Sequence, residues 1–146
     1  MSLLVQKISG DKSKLEKAFK IRFKVFVEGQ RVPAEEELDE FEKEATHFLA
    51  YLDKEAVGTA RWRFTEKGIK LERFAVLEEA QGKGVGAALL NAVLEDVRKS
   101  PEAVGKVRYL HGQVRVEDFY KKFGFISTGQ PFDECGIMHY LMTLEE

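Results

Sequence analysis

The chain has 146 residues, of which 44% are hydrophobic and 11 are Phe, so we expect one domain over residues 1–146 with a genuine apolar core. Its 23 basic and 25 acidic residues give a net charge of -2, without the cationic excess that nucleic-acid binding exploits, so no nucleic-acid partner is expected. The single Cys135 excludes an internal disulfide and a Cys-rich metal site. The chain has no long apolar run, and Met1–Gly10 has no signal pattern, so we expect a cytoplasmic protein with no membrane partner.

The first half of the chain predicts a strand, a helix and three further strands. Leu3–Ile8 is a short apolar run typical of a strand, and Ser13 with Glu16 matches a capping box that opens a helix ending near Gly29. Residues 35–44 contain seven acids and one Lys, which is typical of a solvated loop or short helix. Three strand-like runs separated by turn sequences predict an antiparallel meander over residues 47–52, 57–64 and 69–77.

The second half predicts a helix, a strand, a short helix and a final strand pair. Leucine and valine recur at helical spacing from residue 89 to residue 97, until Ser100-Pro101 ends the helix. The next strand, Gly105–Val114, follows that helix, so it should pair in parallel with residues 69–77. The remaining elements are a helix over Glu117–Phe123, ended by Gly124, and strands over Phe125–Thr128 and Met138–Leu144 joined by a Gly129–Gly136 loop. Together they predict an α/β (α+β) fold with a mixed, mostly antiparallel central sheet and flanking helices.

A glycine-rich turn joins the strand-like residues 71–77 to the amphipathic helix. Its sequence is Gln81-Gly82-Lys83-Gly84-Val85-Gly86, followed by Ala87. Glycines let the backbone approach a bulky anion without interference from Cβ, and the free N–H groups at a helix start carry partial positive charge. This junction therefore predicts a binding site for a pyrophosphate.

Two nucleotide-binding patterns compete for the same turn. Gly82, Gly84 and Ala87 satisfy the dinucleotide pattern G-x-G-x-x-A, but that pattern calls for a later acidic residue, which the strand Gly105–Val114 lacks. A Walker-type loop needs Ser or Thr after Gly-Lys, whereas Gly84 follows Lys83. A dinucleotide-dependent dehydrogenase is therefore the least favoured alternative.

The spacing Gln-x-x-Gly-x-Gly resembles the acyl-CoA pyrophosphate loop of the GNAT superfamily of N-acetyltransferases. A second segment, Phe119-Tyr120-Lys121-Lys122-Phe123-Gly124-Phe125, is similar to the FYxxxGF helix of that superfamily. Two further segments resemble its small bacterial ElaA-like branch: Val25-Phe26-Val27 with Gln30, Val32, Pro33 and the acidic stretch to His47, and Gly136-Ile137-Met138-His139. The resemblance extends over nearly the whole chain.

The resemblance implies that acetyl-CoA is the cosubstrate and that no metal takes part. In the family, the strand before the phosphate loop carries a bulge and splays from the next parallel strand, which frees backbone groups for the amides of pantetheine. By this resemblance Phe74, Ala75 and Val76 take that position, and Gln81–Ala87 binds the pyrophosphate. Gln113 lies where the family usually has Asn, which leaves its contact with pantetheine open.

Tyr120 is the residue predicted to meet the leaving sulfur. A phenol with a pKa of about 10 stays protonated at neutral pH and donates to a developing thiolate. On aromatic composition alone, a core tyrosine packed with Phe119, Phe123 and Phe125 is the simpler interpretation. The resemblance favours a role in catalysis and CoA binding.

Glu72 is the predicted base that takes the proton of the amine. By two-residue periodicity it lies on the same face as Phe74 and Val76 if no bulge intervenes, whereas a bulge would flip the register and leave a solvent-facing glutamate. A water relay is an alternative. The lone histidines are more typical of hydrogen-bonded structural residues, and their spacing fits no metal site; they are His47, His111 and His139.

The predicted reaction is direct transfer within a ternary complex, because Cys135 lacks a basic neighbour that would lower its pKa. The acceptor is the amine of a small molecule, an amino acid or a protein lysine. The alternative from another class is a non-catalytic acyl-CoA sensor or partner-binding module. The arginines of the central strands are interpreted as ion-pair partners of Glu72 and the acidic run; they are Arg61, Arg63 and Arg73. The sequence leaves the oligomeric state open, a homodimer included.

Overall fold

The computed structural model describes residues 1–145 and places one seven-stranded sheet within them. The strands are Leu3–Lys7 (β1), Thr46–Leu52 (β2), Glu55–Thr65 (β3), Gly68–Val76 (β4), Arg108–Gln113 (β5), Ile126–Glu134 (β6) and Ile137–Leu144 (β7). Their order is β1-β2-β3-β4-β5-β7-β6. Neighbouring strands are antiparallel except β4 and β5, which are parallel. The expected mixed, mostly antiparallel sheet with one parallel crossover is confirmed.

Helices cover both faces of this sheet. They are Lys12–Arg22 (α1), which continues as a π-helical segment over Phe23–Gly29, then Ala34–Glu37 (α2), Val85–Lys99 (α3) and Glu117–Lys121 (α4). The apolar stripe of α3 packs on one face within the larger core cluster. On the other face, Ala18 and Ile21 of α1 pack with Leu49 and Ala75 in the smaller cluster. The sheet is therefore buried on both sides over its centre.

The first helix begins earlier than predicted. The Asp11 carboxylate accepts a hydrogen bond from the backbone N–H of Lys14 at 3.1 Å, so Asp11 is the N-cap. Ser13 lies inside the first turn, and the capping box predicted from Ser13 and Glu16 is wrong. Asp11 lies two residues before Ser13 and already accepts from an N–H of the first turn, so the helix begins at Lys12.

The last two strands form a longer hairpin than predicted. The Gly129–Gly136 loop is wrong, because β6 runs to Glu134 and the turn contains only two residues, Cys135 and Gly136. Both have positive φ, 52° and 79°, which suits a tight hairpin turn. Pro131 does not break β6, since β6 is an edge strand and its register shifts between Thr128 and Phe132, and edge strands tolerate proline.

Two buried arginines hold the acidic segment, defined as residues 34–44, against the sheet. The side chain of Arg22 in α1 is 1% exposed and donates to both oxygens of Glu42 at 2.9 and 2.7 Å, and its Nε donates to Glu37 at 2.9 Å. The side chain of Arg61 in β3 is also 1% exposed and donates to both oxygens of Asp39 at 2.9 and 2.7 Å.

Glu42 joins the two arginines, since Arg61 Nη1 also donates to Glu42 at 2.7 Å. The prediction of a solvated acidic run is therefore wrong for Glu37, Asp39 and Glu42. Their negative charge compensates two guanidinium groups that would otherwise be buried without a counter-ion. The predicted pairing of the strand arginines with acids is confirmed.

We expect Glu42→Gln to lower the free energy of unfolding by about 3 kcal/mol, because it leaves two buried guanidinium groups short of a carboxylate. Denaturant unfolding followed by circular dichroism measures the change. The matched control is Glu95→Gln, which removes an exposed carboxylate from pairs with Arg98 and Lys99 and should cost less than about 1 kcal/mol. Equal losses for the two variants would contradict the structural role of the network.

Stability should also fall in acid. Burial opposes ionisation of Asp39, but hydrogen bonds and charge from Arg61 outweigh it and lower the pKa of Asp39 to about 2. The pKa of Glu42 is lowered for the same reason by Arg22 and Arg61. A carboxyl group whose pKa is lower in the folded state stabilises the fold above its ordinary pKa of about 4, and this stabilisation is lost as the pH falls towards 2. Melting temperatures that stay constant from pH 5 to about pH 2 would contradict this expectation.

Candidate active site

A cavity forms where β4 and β5 separate. The two strands pair only at Ile69 with Arg108 and at Lys70 with Tyr109, and beyond these pairs they diverge. The cavity has a volume of about 930 Å³ and extends from the glycine-rich turn, through the gap between the strands, to the acidic segment. Backbone groups that face the gap lack a neighbouring strand, so they are free to bind an amide-bearing chain.

A bulge in β4 shapes the wall of this gap. Glu72 pairs with Arg61 and Ala75 pairs with Thr59, so two residues of β4 lie opposite one of β3. Arg73 takes up the extra residue with a φ of 59°. Phe74 packs in the larger core cluster with α3, whereas Ala75 packs in the α1 cluster.

The bulge changes the face on which Glu72 lies. Residues paired directly across two antiparallel strands share a face, so Glu72 faces the α1 side with Ala75, opposite to Phe74 and Val76. The shared face with Phe74 and Val76, predicted for a strand without a bulge, is therefore wrong. The bulge flips the register as in the alternative, but the side chain is buried and does not face solvent. The bulge itself is the feature that the family resemblance implied.

The glycine-rich turn forms one end of the cavity. Gly82 and Gly84 have φ values of 76° and 84°, and no heavy atom lies within 4 Å of the position of a Cβ at either residue. Gly84 immediately precedes the 15-residue helix α3, whose first N–H groups have no partner within the helix. The lining residues here are Gln81, Gly82, Gly84, Val85, Gly86 and Ala87. Lys83 is exposed and lies outside the lining.

Tyr120 of α4 lines the middle of the cavity. It is 9% exposed and makes edge contacts with Phe74, Phe119 and Phe125 at ring-centroid distances of 6.4, 5.1 and 6.1 Å. Within residues 1–145 its hydroxyl has no hydrogen-bond partner from the protein. Burial raises the pKa of Tyr120 to about 12, so the phenol keeps its proton throughout the physiological range.

Gln113 lies at the end of β5 and also lines the cavity. Its Nε2 donates to Oε1 of Gln30 at 2.8 Å, and its Oε1 accepts from Nε of Arg115 at 3.1 Å. Gln30 directly follows the π-helical segment. The amide of Gln113 thus connects β5 to the helix that forms the opposite wall.

Glu72 is surrounded by cations. Its side chain is 8% exposed, and its Oε2 lies 2.7 Å from Arg61 Nη2 and 2.6 Å from Arg63 Nε, while Lys70 Nζ lies 3.4 Å from Oε1. Burial alone would raise the pKa of Glu72, but the charge of Arg61 and the other cations lowers it overall. Glu72 is therefore an ion-pair partner that accepts a proton poorly.

The structure brings together two histidines that sequence reasoning treated as isolated. His111 of β5 and His139 of β7 both line the cavity. His111 Nδ1 lies 3.0 Å from Oε1 of Glu134, and His139 Nε2 lies 3.8 Å from Oε2 of the same carboxylate. His47 is instead a buried structural residue, with Nε2 2.8 Å from the carbonyl oxygen of Glu42. Only the strand register could have revealed that His111 and His139 lie together.

Cys135 lies in the turn at the edge of the cavity. Its thiol donates to Oε2 of Glu36 at 2.9 Å. This hydrogen bond, together with burial, raises the pKa of Cys135 to about 11. The thiol is therefore protonated at neutral pH and is a weak nucleophile.

Residues 1–145 contain neither a metal-binding cluster nor a membrane-spanning helix. No group of three or more His, Cys, Asp or Glu side chains is arranged to hold a metal ion. No helix in this part of the chain is both long and apolar enough to span a membrane.

Comparison with known proteins identifies the family. A family model described as "Acetyltransferase (GNAT) domain" matches residues 11–146. The uncharacterized N-acetyltransferase YjcF of Bacillus subtilis is 38% identical over 136 residues, which cover 92% of this chain and 95% of that protein. Protein ElaA of Escherichia coli is 30% identical over 138 residues, covering 91% and 88% of the two chains.

Solved structures show the same likeness. The crystal structure of Escherichia coli ElaA superposes with a TM-score of 0.86 and 27% identity, over 99% of this chain and all of that one. Naa50 of Arabidopsis thaliana, in complex with the bisubstrate analogue CoA-Ac-MVNAL, superposes with a TM-score of 0.71 and 26% identity over the full length of both chains. The resemblance inferred from the glycine-rich turn and the FYxxxGF segment is confirmed, and the chain belongs to the GNAT acetyltransferase family.

Proposed function

We propose that residues 1–146 act as one N-acetyltransferase domain that moves an acyl group from the thioester of acetyl-CoA directly to a primary amine. The observation that carries the proposal is the continuous cavity through the gap between β4 and β5, with the glycine-rich turn at one end and Tyr120 in the middle. This arrangement suits a long cosubstrate with an anionic end and a reactive end.

The pyrophosphate would lie at Gln81–Ala87. The N–H groups at the start of α3 and the positive end of its dipole favour an anion there. The open space around Gly82 and Gly84 leaves room for a bulky group against the backbone. Lys83, although outside the cavity lining, adds a positive charge beside it.

The pantetheine arm would lie in the gap. There it meets the edge of β4 at Phe74, Ala75 and Val76, and Gln113 across from them. Backbone N–H and C=O groups of an unpaired strand edge match the two amides of pantetheine. Naa50 binds a CoA-containing analogue, which supports CoA as the ligand of the same fold.

Tyr120 would protonate the departing sulfur. Its raised pKa keeps the proton on the phenol until a thiolate develops beside it. A hydrogen bond from the buried phenol to this thiolate is stronger than the same bond in water. Direct transfer is favoured over an acyl-enzyme, because Cys135 is held as a protonated thiol by Glu36. Glu72 as the general base stays a prediction, although its ion pairs favour a structural role.

The test is thiol release from acetyl-CoA in the presence of a panel of small amines, amino acids and lysine peptides. We expect turnover with at least one class, and Gly84→Glu should remove CoA binding and turnover together, because it places a carboxylate against the pyrophosphate. Calorimetry measures the affinity for CoA. Gly10→Glu is the matched control, since Gly10 also has a positive φ, 86°, and open space, but lies outside the cavity.

Unchanged CoA affinity in folded Gly84→Glu would contradict the pyrophosphate site. A wild-type protein that binds acetyl-CoA and releases no thiol with any amine would favour the alternative function, a non-catalytic acyl-CoA sensor.

Tyr120→Phe should lower kcat by about 10²-fold with little change in CoA affinity, because it removes one proton donor and leaves the ring packed. Stability should change little, since the hydroxyl has no protein partner to lose. Steady-state kinetics and calorimetry give the two quantities. Tyr140→Phe is the control, because Tyr140 does not line the cavity. Equal kcat values for the two variants would mean that Tyr120 contributes only to packing.

A further inference from the structure

The face of the sheet opposite Tyr120 carries a histidine and a carboxylate at the same gap. A Cβ at Gly112 would lie 3.2 Å from Cδ2 of Tyr120, so the residues on either side of Gly112 in β5 point to the other face. These residues are His111 and Gln113. Gln113 contacts Gln30 beside the π-helical segment, which confirms the direction.

The register of the last three strands brings Glu134 to His111. Gln113 pairs with His139, and His139 pairs with Phe132. Residues two apart in a strand share a face, and so do directly paired residues. His111 and Glu134 are therefore on one face, and both line the cavity together with residues of the acidic segment.

The hydrogen bond to Glu134 fixes the tautomer of the His111 imidazole. His111 Nδ1 lies 3.0 Å from Glu134 Oε1, and this hydrogen bond is the main reason why the pKa of Glu134 is lowered. An ionised carboxylate only accepts hydrogen bonds, so Nδ1 carries the proton. Nε2 then has a free lone pair, and within the described residues no protein group is bonded to it.

Packing holds this pair in place. The ring of Phe132 meets the ring of His111 edge-on at 5.0 Å and stacks on His139 at 6.1 Å. His139 Nδ1 is 2.7 Å from the carbonyl oxygen of Ile137, which fixes its own orientation. The side chain of His111 is 22% exposed, so a ligand in the cavity can reach Nε2.

We infer that His111 Nε2 accepts the proton of the acceptor amine and that Glu134 is its positioning residue. This inference rests on the proposed acetyltransferase function. The acceptor arrives as an ammonium ion, gives one proton to Nε2, and attacks the thioester carbon with the freed lone pair. The C–N bond forms as the C–S bond breaks and its electrons pass to sulfur.

The protons balance across the gap. The nitrogen of the acceptor loses two protons as it becomes an amide. One replaces the proton that Tyr120 donates to the CoA sulfur, and the other leaves through His111 to water. The amine thus loses a proton to His111 on one face of the sheet, and the sulfur receives a proton from Tyr120 on the other.

Titratable groups around His111 come from four strands, its own strand β5 included. Glu134 on β6 and His139 on β7 lie beside it, and Tyr109 on β5 is its neighbour, with ring centroids 6.2 Å apart. On β4, the positive charge of Lys70 helps to lower the pKa of Glu134, and its Nζ lies 3.4 Å from Oε1 of Glu72. Glu72 is bonded to Arg61 and Arg63 as well, so it is less available as a base than His111.

The experiment compares pH profiles of kcat/KM for wild type, His111→Gln, Glu134→Gln and Glu72→Gln with one accepted amine. His111→Gln should lose about 10²-fold or more at neutral pH, and the loss should shrink as the pH approaches the pKa of the amine, because the amine then arrives deprotonated. Glu134→Gln should also lower kcat/KM, because an amide can either accept from Nδ1 or donate to it and no longer fixes the proton there, so nitrogen-15 NMR of this variant should show both tautomers of His111. Asp133→Asn, an exposed carboxylate next to Glu134 in the same strand, should leave the profile unchanged.

The outcomes separate the two hypotheses. If wild type binds acetyl-CoA and never turns over, the proposed function is wrong, and the role of His111, which rests on it, is wrong as well. If wild type turns over and His111→Gln gives a parallel curve, or if Glu72→Gln alone changes the shape, only the role of His111 is overturned. Nitrogen-15 NMR of the wild-type imidazole needs no variant: a proton on Nδ1 supports the inference, and a proton on Nε2 at neutral pH overturns it.

Discussion

Two buried guanidinium groups shape the end of the cavity that the acidic segment lines. Arg22 and Arg61 are almost fully buried, and a buried charge without a partner costs several kcal/mol. The acidic segment, residues 34–44, supplies the carboxylates, and in doing so it is drawn onto the sheet next to the π-helical segment. The wall of the cavity is therefore a consequence of charge neutralisation. The same network uses Glu72, which explains why the pKa of this carboxyl group is lowered in spite of its burial.

The sequence predicts much of the CoA side, because the determinants there are local. The glycines at 82 and 84 adopt positive φ, a conformation that glycine favours, and the helix that follows has a clear apolar stripe. The strand order around the crossover follows from the short antiparallel turns and the one intervening helix. The contacts of pantetheine at Phe74–Val76 and Gln113 stay predictions, as does the role of Tyr120.

The end of the cavity near the acidic segment was predicted poorly, because its determinants are distant in sequence. Arg22 and Glu42 are 20 residues apart, and His111 and Glu134 are 23 apart. Charge patterning identified residues 35–44 as acidic, but patterning does not reveal which acids face a buried arginine. The bulge at Arg73 moved Glu72 to the other face, and the two-residue turn at Cys135–Gly136 set the register that brings Glu134 to His111. These last two errors each came from a change of one or two residues in strand register.

The gap in the sheet separates two proton-transfer environments. Tyr120 is enclosed by aromatic rings, and burial raises its pKa, which suits a group that must hold its proton until sulfur departs. His111 lies on the opposite face, partly exposed and hydrogen-bonded to an ionised carboxylate, which suits a group that takes a proton and returns it to water. A single residue serving both steps would need to be buried and solvated at once. The splayed strands would remove that conflict, because a thioester bound between them, as proposed, is accessible from both faces.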